Sequence, residues 1–372
     1  MDRKPRVLQI CHDFKGPFRT VARQYAECFV DCEIKTIFLR GEKSSEIAGS
    51  IPGEVDFLML GPGALRGLKL DVAANVAAII ADQVPDILIA HRYKPFFVAL
   101  LLRRKMDIPL VLGVMHEYGF LGRPSRSVLT RFWPDNVHLI GVSEAVCKEV
   151  RLQLPHLYYR VHQVPHAMED LKLLDSATAR QRLGIPPGRY CFGVIGRLVS
   201  KKNHELLIRA FAELGEDSVL AVVGDGVLKD DLKELTERLG IEHRVTFNGH
   251  QENARTLMKA FDAFVLPSGI EEAFGMVLLE AMAASIPILS TDAPGPKSVV
   301  GDAAITFKCD DKVDLVAKLK RMQALSKQEA GELVGRGSRR LQENFSVAAM
   351  SEKIRSVPEI ARLAPTGVER DV

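Results

Sequence analysis

The stretch Glu271–Met282 (EEAFGMVLLEAM) joins a strand to a helix and decides how the second half of the chain is interpreted. The apolar run Ala263–Leu266 before it is predicted as a buried strand, and Met276–Ala284 as the helix that follows. The amides of Phe274, Gly275 and Met276 then lie at a helix N-terminus, where backbone donors have no intrahelical partner. Such donors suit hydroxyl or anionic oxygens.

Two glutamates flank these amides. Glu272 and Glu280 can each accept two hydrogen bonds from a vicinal diol, and Gly275 lets a ligand approach the backbone. Sugars and riboses present such diols. The alternative is a solvated helix with an acid near its N-terminus. A glycosidase-like pair of catalytic carboxylates is disfavoured, because Glu280 lies about two helical turns from Glu272.

A second loop carries clustered cations. In Gly193–Asn203 (GVIGRLVSKKN) a predicted strand is followed by Gly196 and then by Arg197, Lys201 and Lys202 before a helix. Cations on a strand-to-helix loop can clamp a diphosphate. The alternative is a basic loop that neutralises nearby acids of its own domain.

A third loop is rich in glycine. Val222–Val227 (VVGDGV) carries Gly224 after a strand, and with the later segment Arg244–His250 it is suited to contact a nucleobase. The dinucleotide fingerprint of dehydrogenases is absent, because the third glycine of G-x-G-x-x-G is missing.

The N-terminal half offers two further candidates. His116 follows the predicted strand Leu110–Val114, and Gly16 follows the first strand. A single histidine is more often structural than functional, so His116 is either a structural residue or a functional one. Ser143 is predicted as a helix N-cap.

Composition limits the function classes. The 372 residues exceed what one core usually organises, and 47% hydrophobic with 26% charged residues is ordinary for a globular protein. No apolar run is long enough to span a bilayer, and no secretory signal is recognised at Met1, so we expect a cytoplasmic protein. A net charge of +3 does not argue for nucleic acid.

The cysteines give no metal site. All six are scattered, and neither a Cys/His cluster nor an Asp-x-Asp pair stands at ligand spacing. We therefore expect no cofactor and no metal, with Arg and Lys meeting the charge of any diphosphate.

Apolar runs alternate with helical-period segments along the whole chain, which predicts two doubly wound α/β domains in tandem. The predicted strands are Val7–Cys11, Glu33–Phe38, Ile87–Ala90, Leu110–Val114, Leu139–Val142, His162–Val164, Tyr190–Ile195, Val219–Val223, Val245–Asn248, Ala263–Leu266 and Ile286–Ser290. We predict an N-terminal domain over 1–168, a linker over 169–188, a C-terminal domain over 189–345, and a terminal helix and tail over 346–372 that return toward the N-terminal domain.

Several motifs in order resemble the retaining glycosyltransferases of family 4. They are GRLVSKKNHELLIRAF (196–211), VVGDGVLKDDLKELTERLG (222–240), RVTFNGH (244–250), LPSGIEEAFGMVLLEAMA (266–283) and VVGDAA (299–304). The resemblance implies a GT-B fold, with two Rossmann-like domains facing a deep interdomain cleft, an acceptor-binding N-terminal domain and a C-terminal domain that binds the nucleotide sugar.

The resemblance also implies roles for particular residues. Arg197 and Lys202 would bind the donor diphosphate, Glu280 the ribose, and Glu272 with the Phe274–Met276 amides the transferred sugar. His116 matches the histidine that the family places beside the sugar, so the catalytic candidates are Glu272, His116, Arg197 and Lys202. Gly16, Gly196 and Gly224 complete the donor site. The chain departs from the family pattern at Gly16-Pro17 and at His166-Ala167.

The implied function is metal-independent transfer, with retention, of a hexose-type sugar from a nucleotide diphosphate sugar, a UDP-sugar being favoured. The acceptor would be a glycan or glycolipid of lipopolysaccharide core or another surface polysaccharide. The alternatives are a sugar-nucleotide 2-epimerase-like or phosphorylase-like enzyme of the same fold, and a catalytically silent sugar-nucleotide-binding protein.

Basic residues alternate with aromatic ones in three segments of the N-terminal half: His91–Phe97, Arg103–Lys105 and Arg123–Trp133. This pattern suits a phosphorylated glycolipid at an anionic membrane surface. The hypothesis is peripheral attachment to the inner face of the cytoplasmic membrane, against the alternative of a solvated basic face.

Overall fold

A computed structural model describes residues 3–364, which divide into two compact units. The first unit extends to Ala167 and resumes at Val347, and the second is Met168–Ser346. Each unit is built on one parallel sheet. The part of the predicted tail over 365–372 lies outside the described residues. None of the helices in residues 3–364 is long and apolar enough to cross a membrane.

The first unit contains seven strands in the order β3-β2-β1-β4-β5-β6-β7. Its elements are β1 Arg6–Cys11, α1 Phe18–Glu27, β2 Glu33–Phe38, α2 Ser45–Gly49, β3 Glu54–Phe57, α3 Leu70–Ile79, β4 Ile87–His91, α4 Tyr93–Lys105, β5 Leu110–Met115, α5 Pro124–Leu129, β6 Val137–Gly141, α6 Glu144–Gln153 and β7 Val161–Gln163, followed after the second unit by α14 Val347–Arg355 and α15 Pro358–Leu363. Short 3-10 helices occupy Thr130–Phe132 and Pro155–Arg160.

The central strands of this sheet are mostly apolar and buried. Strands β4 and β5 are buried along their whole length, as expected where helices cover both faces of a parallel sheet. The strand order reverses between β1 and β4, each side continuing in the opposite direction. Ligands of open parallel sheets bind outside the carboxyl ends of the strands at such a reversal.

The second unit contains six strands in the order β10-β9-β8-β11-β12-β13. Its elements are α7 Ser176–Arg182, β8 Tyr190–Ile195, α8 His204–Phe211, β9 Ser218–Val223, α9 Lys229–Arg238, β10 Val245–Phe247, β11 Ala263–Leu266, α10 Met276–Ala283, β12 Ile288–Thr291, α11 Pro294–Val300, β13 Ile305–Phe307, α12 Lys312–Gln323 and α13 Lys327–Phe345. Further 3-10 helices are Ser200–Lys202, Glu242–Arg244 and Ala254–Ala260. The order reverses between β8 and β11, which brings the loops after these strands to one edge of the sheet.

The predicted α/β class is confirmed, and every predicted strand is present with ends shifted by one or two residues at most. The sequence missed β3 and β13, because both are short edge strands whose partial exposure weakens the apolar signal. The predicted terminal helix is two helices, Val347–Arg355 and Pro358–Leu363, since Pro358 lacks the amide that would continue the first. The Ser143 N-cap is confirmed by a bond from the Val146 amide, 3.3 Å long.

Glycines allow the loops at the edge of the second sheet to touch. Gly224 has a φ of 144°, and a Cβ there would lie 1.9 Å from the Gly196 carbonyl oxygen. A Cβ on Gly226 would lie 2.4 Å from the Leu198 carbonyl oxygen. The loop after β9 therefore supports the loop after β8 through direct backbone contact. A side chain at either glycine would prevent this contact.

We expect Gly224→Ala to destabilise the second unit by about 3 kcal/mol, since it adds a steric overlap to an unfavourable φ. Chemical denaturation followed by circular dichroism measures the loss. Gly215→Ala is the control: a Cβ there meets nothing within 4 Å, so the change should stay below about 1 kcal/mol. Equal effects of the two substitutions would contradict this packing argument.

Candidate active site

The loops after β8 and β11 are joined by an ion pair. Lys202 Nζ donates to Glu272 Oε2 at 2.5 Å, and both side chains are mostly buried. The Gly269 amide also donates to the Lys201 carbonyl, 3.0 Å away. Two candidates that are 70 residues apart in sequence thus lie in direct contact.

The start of α10 has the predicted form. Gly275 is its N-cap residue with a φ of 90°, and a Cβ there would meet Leu278 and Leu266 at 3.1 and 3.2 Å. Within the described part of the chain, the amides of Gly275 and Met276 have no hydrogen-bond partner. The Phe274 ring is not a free contact surface, because it is buried against the edge of Phe345 with ring centroids 5.9 Å apart.

Helix α11, to which the sequence assigned no role, supports this loop. A Cβ on Gly295 would lie 2.1 Å from the Glu272 carbonyl oxygen and 2.6 Å from the Ala273 carbonyl carbon. The glycine between two prolines therefore lets the start of α11 pack directly on the backbone that carries Glu272.

Arg197 is the exposed cation of the same edge. It follows Gly196, whose amide donates to the Val223 carbonyl at 3.0 Å. Among residues 3–364 its guanidinium has no hydrogen-bond or ion-pair partner. Arg197 is therefore available to an anion, whereas Lys202 is already held by Glu272.

Glu280 lies on α10 and is half-buried as a residue. Burial raises its pKa to about 7, and the nearby Arg255 partly opposes this rise. A carboxyl group with this pKa is partly protonated at neutral pH. A ribose diol that donates to it would favour the ionised form.

The sequence missed His204 at this edge. The ring is 3% exposed, and neither nitrogen has a hydrogen-bond partner among the described residues. Burial, with a contribution from Lys202, lowers its pKa to about 4. A Cβ on Gly196 would lie within 4.0 Å of both His204 and Lys202, so this unpaired imidazole lies directly against the candidate diphosphate loop.

In the first unit, His116 belongs to a chain of three histidines. The His91 Nδ1 and His116 Nε2 atoms are 3.2 Å apart, and His116 Nδ1 is 3.4 Å from His166 Nε2. His91 Nε2 contacts Gln9 Oε1 at 2.7 Å. The sequence singled out only His116 as functional, although His91 ends β4 beside the strand that His116 follows.

Gln9 determines which ring nitrogen donates and which accepts in each hydrogen bond of this row of histidines. Its amide nitrogen donates to the Ala22 carbonyl and Thr36 Oγ1, so its Oε1 accepts from His91 Nε2. His91 Nδ1 is then an acceptor for His116 Nε2–H, and His116 Nδ1 accepts in turn from His166. Each ring is thereby assigned one neutral tautomer.

Burial keeps these rings uncharged. It lowers the pKa of His91 to about 3, of His166 to about 4, and of His116 well below its ordinary value. Neighbouring histidines add to the lowering of the pKa at His91 and His116. His116 is therefore a fixed neutral ring at pH 7, which argues against a role as a general acid.

The loop that carries Gly16 lies next to His116. Gly16 is exposed with a φ of 58°, and two residues later the Phe18 ring packs edge-on against His116 with centroids 5.4 Å apart. Arg92, which the sequence analysis placed only within a basic segment, lies over the Phe18 ring at 4.0 Å and has a φ of 72°. Such a φ is uncommon outside glycine and often marks a functional site.

The candidates thus form one group in each unit. In the second unit the structure brings together Gly196, Arg197, Lys202, Gly224, Glu272 and the start of α10. In the first it brings Gly16 next to His116.

Comparison with known proteins points to glycosyltransferases. Residues 175–335, less than half of the chain, match the family model "Glycosyl transferases group 1". The α/β architecture with two parallel sheets is that of the GT-B fold. It is 35% identical over 179 residues to the lipopolysaccharide core biosynthesis glycosyltransferase LpsD of Rhizobium meliloti, an alignment that covers 47% of this chain and 50% of LpsD. The chain thus spans about half the length of this relative.

Solved structures agree on the fold over nearly the full length. A glycosyltransferase from Rickettsia africae superposes with a TM-score of 0.84 at 15% identity, covering 98% of this chain and all of that one. HepE from Anabaena, solved in complex with UDP, gives a TM-score of 0.77 at 19% identity over 94% of this chain and 98% of HepE. At these identities the likeness concerns architecture alone.

We expect uridine affinity to rise about tenfold between pH 6 and pH 8, because a carboxyl group with a pKa near 7 ionises over this range and the ionised form accepts from the ribose diol. Isothermal titration calorimetry at several pH values measures this. Glu280→Gln should bind more weakly with a flat pH profile. An unchanged slope in this variant would show that another group titrates.

Proposed function

We propose that this chain is a retaining glycosyltransferase that moves a hexose-type sugar from a nucleotide diphosphate sugar to a glycan or glycolipid acceptor. The observation that carries the proposal is the contact between Lys202 and Glu272 beside the unpaired amides of Gly275 and Met276. A cation, a carboxylate and helix-start donors at one sheet edge match a sugar linked to a diphosphate.

In the proposed reaction a bond forms between an acceptor hydroxyl oxygen and C1 of the sugar, while the bond from C1 to the diphosphate oxygen breaks. The hydroxyl proton passes to the departing diphosphate on the same face, which retains the anomeric configuration. Arg197 and Lys202 stabilise the leaving group in place of a metal ion. The protein contributes mainly position and electrostatic stabilisation.

The other candidate residues are proposed to contact different parts of the donor. Glu272 and the α10 amides would hold the sugar hydroxyls, Glu280 the ribose, and the backbone at Gly196 and Gly224 the phosphates and base. On the first unit, His116 would present its neutral ring to the sugar, with Gly16 allowing close approach. A UDP-sugar is the favoured donor, in keeping with HepE structures solved with UDP and with UDP-glucose.

The proposed acceptor belongs to lipopolysaccharide core or another surface polysaccharide. Support comes from the name of the relative LpsD and from the basic surface of the first unit. Of the aromatic residues in that region, Phe96 is buried and packs on the half-buried Trp133, so the Phe96 ring belongs to the interior and not to a lipid-facing surface.

The structure exposes a different apolar group in the same region. Val128 and Leu129 on α5 and Phe132 just after it are exposed by 56%, 47% and 78%. Arg123 and Arg131 flank them and are exposed as well. Apolar side chains bordered by cations favour an anionic lipid surface, so peripheral attachment at the inner face of the cytoplasmic membrane is part of this proposal.

A screen of UDP-, GDP- and ADP-sugars by thermal shift tests the donor assignment, since a ligand that binds the folded state stabilises it by mass action. We expect UDP-sugars to raise the Tm most. Arg197→Ala and Lys202→Ala should each weaken binding about 10- to 100-fold, because charge-assisted hydrogen bonds contribute about 1.5–3 kcal/mol.

Lys312→Ala is the matched control, since Lys312 also forms a 2.5 Å pair with a glutamate, Glu213, but in an exposed position. It should leave the donor affinity unchanged. If no nucleotide sugar stabilises the protein, the donor assignment is wrong. If one does, product analysis distinguishes transfer from epimerisation, phosphorolysis and silent binding. The double variant Glu272→Ala with Lys202→Ala should abolish transfer.

We expect the full chain to co-sediment with vesicles containing phosphatidylglycerol at low salt and to be released by high salt. Leu129→Ser with Phe132→Ser should lower this binding at least tenfold, since each buried apolar side chain contributes about 1.5–3 kcal/mol. Val313→Ser removes a side chain that is 76% exposed on the second unit and should have no effect. Absence of wild-type binding would refute the membrane hypothesis.

A further inference from the structure

Three potential metal ligands meet at the edge of the first sheet. His138 comes from β6, His162 from the neighbouring β7, and Glu359 from α15 at the far end of the chain. One ligand atom from each lies within 4.8 Å of the other two. No sequence pattern marks this cluster, because its members come from three separate elements.

The hydrogen bonds of His138 prepare its ring for a ligand. Its Nε2 donates to the Asp135 carbonyl at 3.0 Å, which leaves Nδ1 with a free lone pair. That Nδ1 faces His162 Nε2 at 2.9 Å, with the two rings only 9° from parallel. Two imidazole nitrogens that face each other so closely need either a hydrogen atom, in an N–H···N bond, or a metal ion between them.

The carboxylate favours a metal ion over a proton. Glu359 Oε2 is buried and has no hydrogen-bond partner among the described residues, although it lies 3.7 Å from His138 Nδ1. A proton shared by the two rings leaves this oxygen unsatisfied, which costs free energy. A cation bound by all three atoms satisfies each of them.

The surroundings are compatible with a cation. Three arginines lie nearby, and each is paired with an acid: Arg151 with Glu144, Arg160 with Asp135, and Arg362 with the other carboxylate oxygen of Glu359, Oε1, at 3.7 Å. Burial lowers the pKa of both histidines, to about 4 for His162, so the rings offer lone pairs at neutral pH. The Glu359 side chain retains 28% exposure, which leaves access for an ion and a water molecule.

We propose that His138 Nδ1, His162 Nε2 and Glu359 Oε2 bind Zn²⁺, with water as the fourth ligand. In tetrahedral sites with zinc–ligand distances of about 2.0–2.1 Å, neighbouring ligand atoms lie about 3.3 Å apart. The 2.9 and 3.7 Å separations lie on either side of this value, so binding needs the rings to tilt and the atoms to shift by less than about 1 Å.

The consequence of zinc binding is structural. The ion joins α15 to the last two strands of the sheet and so fixes the C-terminal segment on the first unit. It takes no part in the proposed donor chemistry, and its binding can be tested whether or not the proposed transferase activity is found.

The full-length protein, freed of metal with a chelator, is titrated with ZnCl2 by calorimetry and melted with and without one equivalent. We expect one site, a higher Tm with zinc, and a loss of affinity of at least tenfold in Glu359→Gln and more in His162→Ala. His243→Ala, which removes an exposed histidine paired with Glu216 at 3.0 Å, is the control and should bind as the wild type does.

Cobalt(II) substitution distinguishes this site from the six cysteines. The proposed ligands predict tetrahedral d–d bands without thiolate charge transfer. The proposal is overturned if the wild type fails to bind zinc, if Glu359→Gln binds as tightly as the wild type, or if thiolate bands appear. If His162→Ala fails to fold, Glu359→Gln alone provides the test. The metal-free Tm of Glu359→Gln should match that of the wild type.

Discussion

The pair formed by Lys202 and Glu272 is the contact on which the candidate donor site depends. It joins the loops that follow β8 and β11, the two strands at which the order of the second sheet reverses. Glu272 holds the Lys202 cation between these loops, while Gly224 and Gly295 bring supporting backbone against them. Removing either partner would leave a mostly buried charge uncompensated, which is costly, so the loops and the pair constrain each other.

The candidate residues of the first unit are uncharged, in contrast to the ion pair of the second unit. Its histidine chain is ordered by Gln9 and kept neutral by burial, so His116 presents a ring of fixed orientation and no charge. The candidate cations, Arg197 and Lys202, thus belong to the second unit, whereas His116 of the first unit is neutral. A neutral His116 agrees with the proposed reaction, in which the leaving group takes the proton.

Much of the fold could be predicted from the sequence, since buried parallel strands such as β5 are continuous apolar runs bounded by polar turns. The strands that escaped prediction, β3 and β13, are edge strands with few buried positions. In the donor site, motif order brought out Arg197, Lys202, Glu272 and Glu280. His204 escaped because a single histidine at a helix start carries no pattern, and its burial results from packing between elements.

The sequence by itself therefore determined the two α/β units, the loops that carry the donor candidates, and the helix start at Gly275, because these depend on local periodicity and backbone preference. Only the tertiary structure decided that Lys202 touches Glu272, that His91 and His166 flank His116, and that His138, His162 and Glu359 converge. Such contacts join side chains from elements far apart in the chain. Their distances depend on strand order and packing, which residue spacing does not encode.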